Sequence, residues 1–277
     1  MADFDKIKLL TMELSVFFII QFFGLFIAKR LLERNYISEL PTVSAFSFAI
    51  GFVIATAFIL LAAKFLKSGV GFKLLFVMLI VIGSQTFFNA FFPKYLSYAL
   101  AMTVLLLWLA FPFVLVHDFI ILFAVGGISA QLGLSMDVMH VLILFAALSI
   151  YDVIAVYKTK HMIKMFKKLV HHGVYLAIII PFKLKDFFKN TKKAKPGKDF
   201  LMLGTGDLAF PLILATACLK VSLLSSIFVI LGAAVGVTVI FYMLVSQTDR
   251  KAMPALPPIA LGSFIGYLLS ILVHMFL

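Results

Sequence analysis

Stretches of about 20 consecutive apolar residues recur along this chain, and they decide what it can fold into. A helix rises about 1.5 Å per residue, so 20 residues match a hydrocarbon core about 30 Å thick. Of the 277 residues, 64% are hydrophobic and only 13% are charged. A water-soluble domain of this length cannot bury that much apolar surface. The pattern predicts an all-α integral membrane protein. Nine spans are predicted, at residues 8–28, 43–63, 72–92, 95–116, 119–136, 138–157, 200–219, 221–245 and 253–276. The first lacks a small-residue cleavage site and is read as a retained helix rather than a signal peptide. The spans make one membrane-embedded domain, with spans 1–6 at 8–157, a basic loop at 158–199 and spans 7–9 at 200–276.

Lysine and arginine set the orientation, because cytoplasmic segments retain them. With the N-terminus and the 158–199 loop cytoplasmic and the C-terminus outside, 19 of the 24 basic residues lie inside. Only Lys29, Arg30, Arg34, Lys94 and Lys220 then lie outside. The formal charge of +12 is therefore read as a loop facing anionic lipid, with no nucleic-acid partner. The single cysteine, Cys218, offers no disulfide and no metal site.

Acids inside apolar spans are costly, about 3 kcal/mol each at the centre of a membrane helix. Asp152 lies six residues before Lys158, roughly 9 Å inside the cytoplasmic end of span 6. Asp207 lies eight residues after Asp199, roughly 12 Å inside the same end of span 7. These spans are consecutive and antiparallel, so the two carboxyls can meet. Apart from Lys8 and Lys73, at the very start of spans 1 and 3, no lysine or arginine lies within a span to pair with them. Glu13 is expected to be an interfacial acid of span 1. Asp118 and Asp137 fall at span ends, where a solvated role is expected. His140 and His274 are near the outer ends and carry no assigned chemistry.

The backbone near each acid is unusual. Gly204 and Gly206 remove side chains before Asp207, so another backbone is expected to approach there. Pro211 cannot bond the Asp207 carbonyl four residues back, which loosens the helix at the acid. Span 9 opens with Met253-Pro254-Ala255-Leu256-Pro257-Pro258. Residues before proline avoid the α region, so 253–257 are expected to be non-helical, with Pro258 in the first turn. Irregular backbone at that depth must line a cavity or be covered by protein.

Taken together, these segments resemble the presenilin family of intramembrane aspartyl proteases. Tyr151-Asp152 matches its YD motif, Gly204-Thr205-Gly206-Asp207 its GxGD motif and Pro254-Ala255-Leu256 its PAL motif. The resemblance is nearest to the archaeal and other microbial homologues. It implies a nine-helix fold with the cytoplasmic loop between helices 6 and 7, in the cell membrane. Thr205 departs from the apolar residue usual at that place, so cleavage preference is not carried over. Signal peptide peptidases share the motifs with the opposite orientation. Prepilin peptidases share GxGD, but their cytoplasmic cysteines are absent here.

The resemblance implies catalysis by Asp152 and Asp207 on transmembrane protein substrates. Two close carboxylates do not readily both ionise. One donates a proton to the scissile carbonyl while the other deprotonates the attacking water. Neither a cofactor nor a metal is implied, and accessory subunits are not expected. Tyr151, Gly204, Thr205, Gly206, Pro254, Ala255 and Leu256 are expected to support the site or touch substrate. The alternative class is a proton-coupled transporter or cation channel using the same acids, but no internal repeat is evident.

Two loop segments carry further expectations. Residues 173–182, Gly-Val-Tyr-Leu-Ala-Ile-Ile-Ile-Pro-Phe, favour a strand ended by Pro181. Too short to span, it is expected either to dip into the lipid interface or to pair, by edge addition, with the unwound substrate. Residues 158–172 have helical apolar spacing and are expected to continue span 6 along the interface.

Overall fold

A computed structural model describes residues 3–34, 46–47, 50–51, 54, 70–158, 169–170, 173–194, 200–247 and 253–276. Predicted span 2 and the continuation of span 6 through 158–172 lie largely outside the described residues. Eight helices are described: α1 (Asp3–Glu33), α2 (Val70–Asn89), α3 (Lys94–Ala110), α4 (Val114–Ser135), α5 (Val138–Val153), α6 (Thr205–Leu219), α7 (Leu223–Val245) and α8 (Leu256–Phe276). Five are long and apolar enough to cross a membrane: α1, α4, α5 with its extension to Lys158, α7 and α8. The outer faces are apolar, with Ile19, Phe26, Leu106, Val235, Leu261 and Leu268 all exposed. Exposed apolar surface on many helices is the arrangement a lipid solvent requires.

Helix α6 is the hub. It packs against α1, α4, α5, α7 and α8, and Leu208, Leu212, Leu214, Ala215, Ala217 and Cys218 are fully buried. Its 15 residues reach only about 22 Å, short of a full crossing. The reason corrects the sequence reading. Residues 200–204, expected to open a helical span, form strand β2 (Phe200–Gly204). They pair antiparallel with β1 (Ala177–Pro181), in the register Ala177 opposite Gly204 and Pro181 opposite Phe200. Phe200 is buried with Val114, Tyr175, Ile179 and Ala194. Protein therefore covers one edge and the Phe200 end of this non-helical backbone, while residues 201–203 line a cavity.

The strand expected at 173–182 is present, but its partner is β2 rather than a waiting substrate. Its other edge is also engaged. Ile179 donates its N–H to Asp118 Oδ1 at 2.9 Å, and His117 Nε2 lies 3.1 Å from the Ala177 carbonyl oxygen. Asp118 is thus a half-buried bonding partner of β1 and not the solvated span end expected. The sequence hides this pairing because Asp118 and Ile179 are 61 residues apart.

Helices α7 and α8 pack in close contact. A Cβ added at Gly232 would collide with the Gly262 backbone, and one at Gly262 with the Gly232 backbone. Only glycine permits that approach. The seam carries the start of α8 to the same end of the bundle as the two strands.

Candidate active site

Asp152 lies in the last turn of α5 and is 4% exposed. Directly after it the helix changes to a π turn at Ile154–Lys158, a distortion frequent at functional sites. Asp152 Oδ2 accepts the Leu256 backbone N–H at 3.2 Å, and the Ala255 N–H is directed at the same carboxyl. The YD and PAL segments therefore meet. Tyr151 is 43% exposed on the outer side of α5, whereas Pro254 is buried.

Residues 253–255 are non-helical, as expected from the prolines, but α8 begins at Leu256 rather than at Pro258. Pro257 and Pro258 both occupy the first turn, where no intrahelical N–H is needed. The helix can therefore start two residues earlier than the prolines alone suggested. The N–H of its first residue is left to bond Asp152.

Asp207 lies in the first turn of α6, with Gly204 as the preceding cap residue in extended conformation. It is within electrostatic reach of Asp152. The two glycines act differently from the expectation that both admit another backbone. A Cβ on Gly204 would lie 2.9 Å from Asp207 Oδ2, so the missing side chain makes room for the acid itself. A Cβ on Gly206 would meet only Phe210, at 3.8 Å. Thr205 donates its N–H to the Leu176 carbonyl at 3.2 Å, and its Oγ1 lies 3.3 Å from the same oxygen. Thr205 thus ties α6 to the sheet. Helix α6 continues through Pro211, and Gln21 of α1 donates to the Leu208 carbonyl at 2.8 Å. A side chain from another helix supports the backbone beside the proline.

A cavity of about 240 Å³ opens beside Asp207. Its lining includes Met202 and Leu203 of β2, Val237 and Phe241 of α7, Ala255 ahead of α8, and Glu13 of α1. Glu13 corrects the interfacial reading. It is 6% exposed, and its Oε2 has no hydrogen-bond partner among the described residues. Glu13 and Gln21 were missed as site residues, yet a signal existed. Residues 13, 17, 20, 21 and 24 fall on one helical face, and Phe17, Ile20 and Gln21 are buried to 1% exposure or less. Among the described residues, no three His, Cys, Asp or Glu side chains are grouped to hold a metal ion.

Comparisons with known proteins give the family and the fold. A family model described as signal-peptide peptidase, presenilin aspartyl protease matches residues 14–276. The chain belongs to that family and is an intramembrane aspartyl protease, a hydrolase. Two solved structures of a presenilin family intramembrane aspartate protease, in space groups C222 and P2, share its fold. The first is 22% identical with a TM-score of 0.58, covering 92% of this chain and 94% of that one. The second is 23% identical with a TM-score of 0.62, covering 92% and 96%. No curated protein sequence matches the chain. The family places it among proteases rather than the transporters weighed as an alternative.

Proposed function

We propose that this protein hydrolyses peptide bonds within transmembrane segments of membrane proteins, with Asp152 and Asp207 as its catalytic pair. The observation that carries the reading is the convergence at one end of the bundle. Asp152 is bonded by the start of α8, while Asp207 lines the same cavity as Ala255, just ahead of that start. In the reaction one carboxylate takes a proton from water as the water oxygen attacks the scissile carbonyl carbon. The other, protonated, hydrogen-bonds the carbonyl oxygen. Collapse of the tetrahedral centre breaks the C–N bond, and the departing amine takes a proton. The pair acts as one titrating unit.

A transmembrane helix closes its amides with internal hydrogen bonds, so it must unwind before attack. Strand β2 offers a place for it. Residues 176, 178 and 180 face β2, because Ala177 and Ile179 are bonded away from it. Their partners 205, 203 and 201 therefore face β1, and Met202 turns its N–H and C=O outward, as Gly204 does its N–H, the Gly204 C=O being taken by the first turn of α6. This edge, rather than that of β1, accepts the unwound segment by strand addition. Thr205, Gly206, Pro254, Ala255 and Leu256 frame its approach.

The protein acts as one nine-span domain in the cell membrane. Its N-terminus and 158–199 loop are cytoplasmic and its C-terminus is outside. It needs no cofactor, metal or accessory subunit, and the basic loop rests on anionic lipid. The test is cleavage of a transmembrane peptide by purified protein. Asp152→Ala and Asp207→Ala are each expected to abolish cutting and leave a folded protein. Cleavage retained by either variant refutes the pair.

A further inference from the structure

Unwinding a transmembrane helix frees backbone N–H groups that must find acceptors, because lipid supplies none. Pairing with the outer edge of β2 satisfies only every second residue of an added strand. The N–H groups between them point the other way, across the cavity. The side chains lining that cavity are apolar apart from two, Asp207 and Glu13. Asp207 is taken up by the reaction. Glu13 remains, on the buried face of α1, with Oε2 lacking a hydrogen-bond partner among the described residues. A buried acceptor left open is costly, so a donor from outside the resting protein would complete it. The donor chemistry is constrained as well. At this depth a transmembrane substrate carries mostly apolar side chains, and the amides freed by unwinding are the donors it brings.

We propose that Glu13 is a substrate-binding residue whose carboxyl accepts a backbone N–H from the unwound segment, on the side opposite β2. This rests on the protease reading above. It adds a third carboxyl to the site, one that touches the substrate backbone and takes no part in bond cleavage. The substrate segment then lies between β2 and α1, held from both edges beside Asp207. Recognition through an amide rather than a side chain is indifferent to sequence.

The experiment uses the purified full chain and a set of transmembrane peptides, each with one backbone amide near the cut replaced by an ester. An ester keeps the shape and removes one N–H. For the parental protein, one ester position away from the scissile bond is expected to lower kcat/KM by roughly tenfold, the scale of a bond to a charged acceptor. Glu13→Leu is expected to cut the all-amide peptide roughly tenfold less well, mainly through KM. In that variant the sensitive ester position should cost no more than its neighbours. Glu13→Gln, which keeps an acceptor, should recover part of the loss. An ester penalty unchanged in Glu13→Leu overturns the proposal, as does parental kcat/KM in that variant. A parental KM with a displaced pH profile in both variants also overturns it, since Glu13 would then hold a proton and not the substrate. Protein that cuts no transmembrane peptide at all refutes the protease reading instead, so the two failures are distinct.

Discussion

Asp152 Oδ2 accepts the backbone N–H of Leu256 at 3.2 Å, joining residues 104 positions apart in the chain. The bond connects the end of α5 to the first residue of α8, which the α7–α8 glycine seam holds in place. The PAL segment thereby acts on the acid through its backbone. Its side chains serve to put that backbone there.

Leu256→Pro tests this arrangement. Proline suits the first helical position, so α8 can still start, but the N–H to Asp152 is gone. We expect kcat to fall at least tenfold with KM within about threefold, in line with a lost bond to a carboxylate. Thermal unfolding should show a folded protein. Parental kcat in this variant would show that the bond does not orient Asp152.

The two glycines before Asp207 should separate in their effects. A methyl group at Gly204 would lie 2.9 Å from Asp207 Oδ2. The carboxyl is the movable partner, so Gly204→Ala should displace it and cut activity tenfold or more with little change in stability. Gly206→Ala meets only Phe210 at 3.8 Å and should stay within a few-fold of parental activity. Equal effects of the two substitutions would contradict this division of roles.

Proline scanning of β2 distinguishes its edges. Met202→Pro removes an outward N–H and leaves the β1 ladder intact, as proline is tolerated at a strand edge. It should lower kcat/KM roughly three- to tenfold through loss of one neutral bond to the substrate. Leu203→Pro removes a donor that faces β1 and should destabilise the protein by about 1–3 kcal/mol. If Met202→Pro cuts at the parental rate, strand addition at this edge is refuted.

Orientation is open to direct labelling. Lys193 is exposed in the 158–199 loop, and a cysteine there should react with an impermeant reagent only from the cytoplasmic side. Reaction from outside would reverse the proposed topology. Lys168, in the same loop, lies outside the described residues.

Much of the site was legible because its costs are local. An aspartate in an apolar span, a glycine pair and a proline cluster each break a rule that holds within a few residues. Their coincidence at one predicted depth placed Asp152, Asp207 and residues 254–256 together. The strand at 177–181 was legible for a similar reason, since β-branched residues followed by a proline do not suit a helix.

By itself, then, the sequence determined a membrane protein and the residues of the proposed site, because hydrophobic length and buried charge are properties of short segments. Tertiary structure alone decided what surrounds them. The 200–204 segment is as apolar as a helix would be, and only pairing with β1 makes it a strand. Glu13 reads as interfacial because it lies about one turn inside predicted span 1, and only the packing of α1 against α6 and α7 carries it to the cavity. Asp118 reads as solvated until β1 presents the Ile179 N–H. In each case the deciding partner is far away in the chain, and no local propensity encodes it.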